Sequence, residues 1–507
     1  MSFLSRYLEK IPEEERSSAA IAYLAALDHI GKDNPEVMAA IVKELKDQRK
    51  FLKLIASENY SSLATQLTMG NLLTDKYSEG YPYHRFYAGC DNVDTVEALA
   101  VEELKQLFGA EHGYVQPHSG ADANLVAFWA ILVQRIQNKE VEKLGKKSID
   151  ELSPEEYERI RVLMLKQKMM GMALDAGGHL THGFRHNVSA KMMQIASYGV
   201  DPKSELMDYK AIEEKALQEK PTILVAGYSA YPRLVNFAKM KEIADKCGAV
   251  FLVDMAHFSG LVAGKALTGE YDPIPYADIV TSTTHKTLRG PRGGMILCKE
   301  EWREVIDKGC PLVLGGPLPH VMAAKAVAFR EAQQKNFQDY AKQVIANAQA
   351  MAERLVSREA KLYTGGTDNH LFVMDVMSSF GLTGRQAETA MREALMTVNR
   401  NSIPNDVNGA WYTSGVRIGT PALTSRGLKE KEMHQIADLM VDLLKASKAK
   451  IVERTGKPGK AKVDIDAQVL EKVRNEVTAL LGNFPLYPEV VMLEETPKIM
   501  LNMRKHK

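Results

Sequence analysis

Short apolar runs, most of them closed by glycine, proline or polar turns, recur through the middle of the chain. They are HGYVQPHSG (112–120), MALDAGGHL (172–180), PTILVAGYSA (221–230), AVFLVDMAH (249–257), DIVTSTTHK (278–286) and GGMILC (293–298). Runs of this kind predict strands of one mainly parallel sheet with its central strands buried. Between two of them Phe237, Met240, Ile243, Ala244 and Cys247 recur at helical spacing before Gly248, giving a strand, helix, strand order. The pattern therefore predicts an α/β fold with helices layered on the sheet.

Helical periodicity dominates on either side of this region. Residues 36–59 read as an amphipathic helix entering an extended segment, and 91–109 as a second helix stopped by Gly109. A long helical stretch spans 320–355, after which NHLFVMDV (369–376) suggests a smaller α+β domain. The expected division is an N-terminal arm with helices over 1–75, a large domain over 76–335 and a small C-terminal domain with a basic tail over 336–507. Residues 135–170 are unusually charged for a connection inside a sheet domain. There Ser153-Pro154-Glu155-Glu156 fits a helix cap, and Tyr157, Ile160 and Met164 form one stripe, so a surface helical insertion is expected. The lysine-rich KASKAKIVERTGKPGKAK and the terminal RKHK read as solvated linker and tail.

Composition adds mainly exclusions. With 507 residues, 45% hydrophobic content and 65 basic against 64 acidic residues, the chain has ample core material and no global field for nucleic acid or an anionic membrane. No apolar run approaches the ~18 residues of a membrane span, and the N-terminus is acidic early rather than signal-like. Cys90, Cys247, Cys298 and Cys310 are too scattered for a metal pair or a disulfide framework, which suggests a reducing cytoplasm.

The candidate chemistry lies at two predicted strand ends. Asp254 and His257 close one run; Lys286, beside His285 and a series of small hydroxyl residues, closes another about 30 residues on. A lysine that forms a Schiff base must be neutral and partly desolvated. A strand-end carboxylate suits the pyridine nitrogen of pyridoxal phosphate, since a charge pair at ~4 Å and an effective dielectric of about 20 is worth roughly 4 kcal/mol. Ser119-Gly120-Ala121, ahead of a helix-forming stretch, suits an anionic phosphate, and the Gly315-Gly316 pair allows another close backbone approach. Arg417 is a candidate for two parallel hydrogen bonds to an amino-acid carboxylate. Tyr77, Glu79 and Tyr87 lie in a stretch too rich in aromatics and glycines for a plain exposed helix, equally readable as an interface loop.

In order along the chain, SEN, KYSEGYP, RFYAGC, PHSGADAN, GGHLTHG, GYSAYPR, VDMAH, TTHKTLRGPRGG, GGPLPH, VNRNSIPND and TSGVRIGTP strongly resemble serine hydroxymethyltransferase over roughly residues 40–430. The resemblance implies a fold-type-I pyridoxal-phosphate enzyme, at least a homodimer with shared active sites, that exchanges serine and glycine with tetrahydrofolate as co-substrate. It implies Lys286 as the covalent anchor, Asp254 at the ring nitrogen, His179 stacked on the ring, and Ser119, Gly120 and Ala121 at the phosphate with Gly315 and Gly316 from the neighbouring subunit. His257, Ser229, Thr283 and His285 would lie around the cofactor. Arg417, Ser57 and the neighbour's Tyr87 would hold the substrate carboxylate, with Glu79 as acid/base group and Tyr77 completing the site. Folate positions would be Leu174, Gly178, His179, Leu180 and Asn401, with Gly409, Ala410 and Trp411 nearby. The chain departs from the family pattern in the 135–170 insertion, in NDVNGAWYTSG, in GCPLVLGGP and at Phe86, where a tyrosine is common. Folate-independent aldol cleavage, racemisation, and a noncatalytic interaction protein on the same fold remain open alternatives; no metal is expected.

Overall fold

The computed structural model describes residues 2–493. Five of the six apolar runs supply strands where the pattern puts them, and pair into a seven-stranded sheet. Its strands are β1 (His112–Tyr114), β2 (Lys168–Met172), β3 (Gln194–Tyr198), β4 (Ile223–Gly227), β5 (Val250–Asp254), β6 (Ile279–Thr283) and β7 (Gly294–Cys298). The spatial order is β1-β7-β6-β5-β4-β2-β3, and only β7 runs against its neighbours. Two expectations shift. The run at 172–180 contributes only its first residue to β2, the remainder being the loop that leaves the strand, and β3 occupies a segment the pattern does not announce.

Side chains of the buried strands alternate between two core layers, as the period of two requires. Leu224, Ala226, Phe251, Val253 and Val280 face one layer. Ile223, Val225, Val250, Leu252 and Ile279 face the other, against Ala123, Val126 and Ala127 of the helix Gly120–Leu132. Each fully buried aliphatic side chain contributes about 1.5–3 kcal/mol of transfer free energy, so this double-faced burial fixes the strand register and with it the strand ends. The helix Phe237–Cys247 and the helix Asp91–Phe108 form as their spacing predicts, each followed by a glycine in the left-handed region.

A three-stranded antiparallel sheet, β8 (Leu371–Asp375), β9 (Asn399–Asn401) and β10 (Gly415–Gly419), in the order β8-β10-β9, organises a second core. The N-terminal helices Phe3–Lys10, Ser18–Asp33 and Pro35–Lys50 pack into a cluster of their own around Tyr7, Leu24 and Val42. The chain then pairs Leu52–Lys53 with Met396–Thr397 and buries Leu52 and Leu54 in the second core. Helix Lys335–Ser357 buries Phe337, Tyr340 and Val344 in the first core and Met351 and Leu355 in the second, so one rod is shared by both.

The insertion is helical, with Asn138–Lys143 and Pro154–Leu165, and Ser153 and Glu156 form the expected reciprocal cap. Its stripe is narrower than expected: Ile160 is buried but Tyr157 is exposed. The supposed linker is instead a hairpin, Ser447–Val452 against Lys457–Ile465. It is held because the Gln386 amide donates to the carbonyls of Gly459 (2.9 Å) and Lys462 (2.8 Å). The terminal RKHK lies outside the described residues. Among the described residues no helix is long and apolar enough to cross a membrane, and all four cysteines are free thiols.

Candidate active site

Because β5 and β6 are parallel neighbours, with Asp254 in register with Thr281, their carboxyl ends deliver Asp254 and the 283–286 turn to one edge of the sheet. Asp254 is buried and thoroughly solvated by protein. It accepts hydrogen bonds from the Asn124 amide (2.9 Å) and the Ala256 backbone N–H (3.0 Å), and lies 3.0 Å from His182 Nε2. Burial alone would raise this carboxyl, but chiefly the hydrogen bond and charge of His182, together with the Asn124 amide, overcome it and hold the group well below the usual carboxylate range. Among the described residues, His179, His182 and Asp254 are the one group of three metal-binding residue types whose donor atoms all lie within 4.8 Å of one another. Those atoms are engaged with one another, with Thr181 and with Asn124, and so serve to keep the carboxylate anionic.

Lys286 donates to Thr283 Oγ1 (3.0 Å). Burial pushes its amine down to about 8, against the pull of Asp254 and with help from Arg417 and Arg292. A sizeable neutral fraction is therefore present near neutrality, which a nucleophilic lysine requires. Its backbone carbonyl accepts from the Asn59 amide (2.9 Å), which fixes the turn. Beside it, His285 is lowered to about 3 by burial and by the Lys286 and Arg292 charges, and its buried Nδ1 has no partner within the described residues.

Ser119 caps the helix Gly120–Leu132, accepting from the Asp122 N–H (3.2 Å). The start of that helix sits against β6 so closely that a Cβ on Gly120 would meet Thr283 Cγ2 at 2.7 Å. The close approach places the free amides of a helix N-terminus beside the lysine turn. The loop leading into it is tied from beneath by Lys325, a buried lysine that donates to the carbonyls of Val115, Pro117 (3.1 Å) and Gly294 (2.8 Å).

Arg417 comes from β10, opposite Asn399 of β9. Only 9% exposed, it donates to Asn399 Oδ1 (3.1 Å), to the Ser229 carbonyl (2.7 Å) and to Ser229 Oγ (3.1 Å). No carboxylate pairs with it among the described residues. Burial lowers it to about 10, so it is still a cation at neutral pH. The segment leading to Ser57 is tied to the end of the same strand, because the Gly419 N–H donates to the Leu54 carbonyl (2.8 Å) and Gly419 lies against Ala56. His257 Nε2 lies 3.4 Å from Ser229 Oγ, and its Nδ1 lies 3.3 Å from His370 Nε2. His179 is lowered to about 4 by burial and His257 well below its ordinary value by burial and the Lys286 and Arg417 charges, so both rings are uncharged at neutral pH.

The remaining candidates form a separate group. Tyr77 and Tyr87 pack edge to face at 4.9 Å, and their hydroxyls lie 3.3 and 3.5 Å from the Glu79 carboxylate. The Tyr77 ring also lies over Gly316. Arg85, in a buried ion pair with Glu97 and bonded to Asp94 (2.8 Å), anchors the loop. No hydrogen bond or ion pair among the described residues joins this group to Lys286, Asp254 or Arg417, and Tyr77 is 56% exposed. Of the folate candidates, Gly178 is buried and His179 half-buried, Leu174 and Leu180 are exposed, and the half-buried Asn401 donates to the Ser402 carbonyl (2.7 Å). Gly409 and Ala410 are exposed, as is Trp411 at 62%, with the Arg385 and Arg400 guanidinium groups 5.5 and 5.3 Å from its ring.

Sequence reasoning missed Asn59, Asn124, His182, Lys325, His370 and Asn399, each of which supports a candidate residue rather than ending a strand itself. SEN, PHSGADAN, GGHLTHG and VNRNSIPND contain four of them, but nothing local distinguishes the supporting residue from its neighbours.

A serine hydroxymethyltransferase family model matches residues 30–141 and 156–440, interrupted within the insertion. The chain is 57% identical to serine hydroxymethyltransferase of Cutibacterium acnes over 92% of its length and 95% of the relative's. It is 56% identical to that of Treponema pallidum (96% and 85% of the two chains) and 51% identical to that of Chlamydia muridarum (96% and 98%). The strand-end lysine and carboxylate, on a sheet of this order, are thus set in a chain that belongs to the serine hydroxymethyltransferase family.

Proposed function

We propose that this chain interconverts L-serine and glycine, with tetrahydrofolate receiving the one-carbon unit as 5,10-methylenetetrahydrofolate and pyridoxal phosphate as resident cofactor. The observation that carries this reading is Arg417: a buried, fork-shaped cation with no carboxylate partner among the described residues, in the same charge environment as a lysine of lowered pKa. An uncompensated buried charge is costly unless a ligand pairs it, and an amino-acid carboxylate matches the guanidinium in shape and sign.

The residues present fit the cofactor. A strongly anionic carboxylate, a helix start with free amides, a lysine of lowered pKa and an unpartnered buried His285 nitrogen suit, in turn, a ring nitrogen, a phosphate, an aldehyde and a polar edge. Bound there, pyridoxal phosphate supplies a ring that accepts the electron pair released at the substrate's α-carbon. Lys286 would anchor the aldehyde, and Asp254 would keep a proton on the ring nitrogen. Ser119, Gly120 and Ala121 would hold the phosphate, with His179, Ser229, His257, Thr283 and His285 forming the rest of the cofactor's surroundings.

Arg417 and Ser57 orient the serine carboxylate. Glu79 exchanges a proton at the serine hydroxyl. Tyr77, Glu79, Tyr87, Gly315 and Gly316 serve the site of a second copy, which supports a homodimer or higher oligomer. That assignment is supported by the lack, among the described residues, of any hydrogen bond or ion pair from this group to Lys286, and by exposed apolar side chains of the same segments, where Leu72 is 85% exposed and Tyr83, Phe86 and Leu312 are also exposed. Leu174, Gly178, Leu180, Asn401 and the Gly409–Trp411 turn take the folate. Four unpaired thiols support a reducing, cytoplasmic setting.

The test is glycine formation from serine by the purified protein, with and without tetrahydrofolate, alongside threonine cleavage and alanine racemisation. Folate-dependent glycine is expected. Bound cofactor with no glycine would overturn the assignment, and strong folate-independent cleavage would favour an aldolase.

A further inference from the structure

We propose that His370 is a positioning residue that fixes the tautomer of His257, so that His257 presents an N–H at Nε2. His370 precedes β8 and is completely buried. Its Nε2 lies 3.3 Å from His257 Nδ1, and its Nδ1 has no partner within the described residues. On its other side His257 Nε2 faces Ser229 Oγ at 3.4 Å, and that oxygen already receives an N–H from Arg417 at 3.1 Å.

Two neutral rings in contact share one proton in one of two ways, and the surroundings separate them. Lys286 and Arg417 both disfavour a proton charge on either imidazole, and burial lowers His370 to about 3, so both rings are neutral. If His257 donated from Nδ1, His370 Nε2 would have to accept and its proton would sit on Nδ1, as a buried N–H with no acceptor. That defect is rare in folded proteins. If His370 donates from Nε2 instead, its Nδ1 carries only an unused lone pair. His257 then accepts at Nδ1 and carries its proton on Nε2, directed at Ser229 Oγ and the ligand side of the site. The two imidazoles so donate in sequence toward Ser229 Oγ, which also receives the Arg417 N–H, and the direction of the imidazole pair is set at its buried end. The mechanistic use of that N–H rests on the function proposed above; the tautomer itself does not.

Imidazole 15N shifts distinguish protonated from bare ring nitrogens. Spectra of full-length, cofactor-loaded protein labelled in histidine, with His257→Asn to assign the His257 signals, are expected to show a protonated Nε2 and a bare Nδ1. In His370→Gln, whose side-chain amide can replace the Nε2 donor, the same pattern should persist. In His370→Phe the proton should redistribute between the two nitrogens, and kcat should fall roughly fivefold to tenfold, the size of one neutral hydrogen bond. A wild-type His257 protonated on Nδ1 would overturn the proposal, as would an unchanged tautomer in folded His370→Phe. If His370→Phe does not fold, an inverted His257 tautomer in His370→Gln would do the same. The cofactor absorption and glycine production of the same samples separate the two readings. An inverted tautomer in active, cofactor-bound protein sinks only this inference, whereas the expected tautomer in protein that makes no glycine sinks only the proposed function.

Discussion

Replacing Arg417 with methionine removes the fork but keeps a long apolar side chain, and the structure sets the size of the effect. The guanidinium is 9% exposed and, among the described residues, is hydrogen-bonded only to neutral partners, Asn399 and Ser229, so no counter-charge is paired with it there. Two charge-assisted hydrogen bonds to a carboxylate, at about 1.5–3 kcal/mol each, correspond to a loss of about 10²- to 10⁴-fold in kcat/KM for serine. Stability should change little. Relief from burying a cation opposes about 1–3 kcal/mol for each acceptor left unpaired, and Tm should stay within about 5 °C. The assay is a double-mutant cycle using serine and serinamide. Wild type should lose a similar factor on serinamide, and Arg417→Met should discriminate hardly at all between the two. A variant within about fivefold of wild type on serine, or a wild type indifferent to the carboxylate, would refute the reasoning.

Lys286 has its amine lowered to about 8, and the neutral form is the nucleophile, so capture of added pyridoxal phosphate by cofactor-free protein should accelerate with rising pH and level off above that value. Stopped-flow absorbance across pH checks this, and a midpoint near the ordinary lysine value would count against it. Asp254→Asn keeps the shape of a side chain held by Asn124 and His182 but removes its charge; steady-state turnover should fall by about 10³, with the cofactor still bound. Gly120→Ala drives a methyl group to 2.7 Å from Thr283 Cγ2. Equilibrium titration should show cofactor affinity weakened by the about 1–3 kcal/mol of an overpacked contact.

The strands that carry chemistry were legible because they are buried on both faces, which writes them as continuous apolar runs ending in Asp254 or the 283–286 turn. Helix Phe237–Cys247 was legible for the complementary reason: one face is buried, and the spacing records it. At the sheet edge the signal fails. β3 has exposed Gln194 and Ser197 and one neighbour, and so reads as polar chain. The Ser447–Ile465 hairpin fails similarly, since both of its faces are largely solvated and its lysines look like a linker; what holds it is Gln386, more than 60 residues earlier. Asn124, His182 and His370 were invisible for another reason. Each is a polar residue whose role exists only when β5, the helix start and the second sheet converge, and no local spacing encodes that convergence. The motif resemblance supplied residues such as Glu79, whose side-chain partners among the described residues are Tyr77 and Tyr87 rather than Lys286.

Borohydride reduction of the cofactor-loaded protein, followed by peptide mapping, identifies the anchoring lysine, because it converts a reversible lysine–aldehyde linkage into a permanent one. The reduced cofactor is expected on the peptide containing Lys286 and on no other lysine, including the buried Lys325. Modification elsewhere, or none in protein that turns serine over, would contradict the Lys286 assignment.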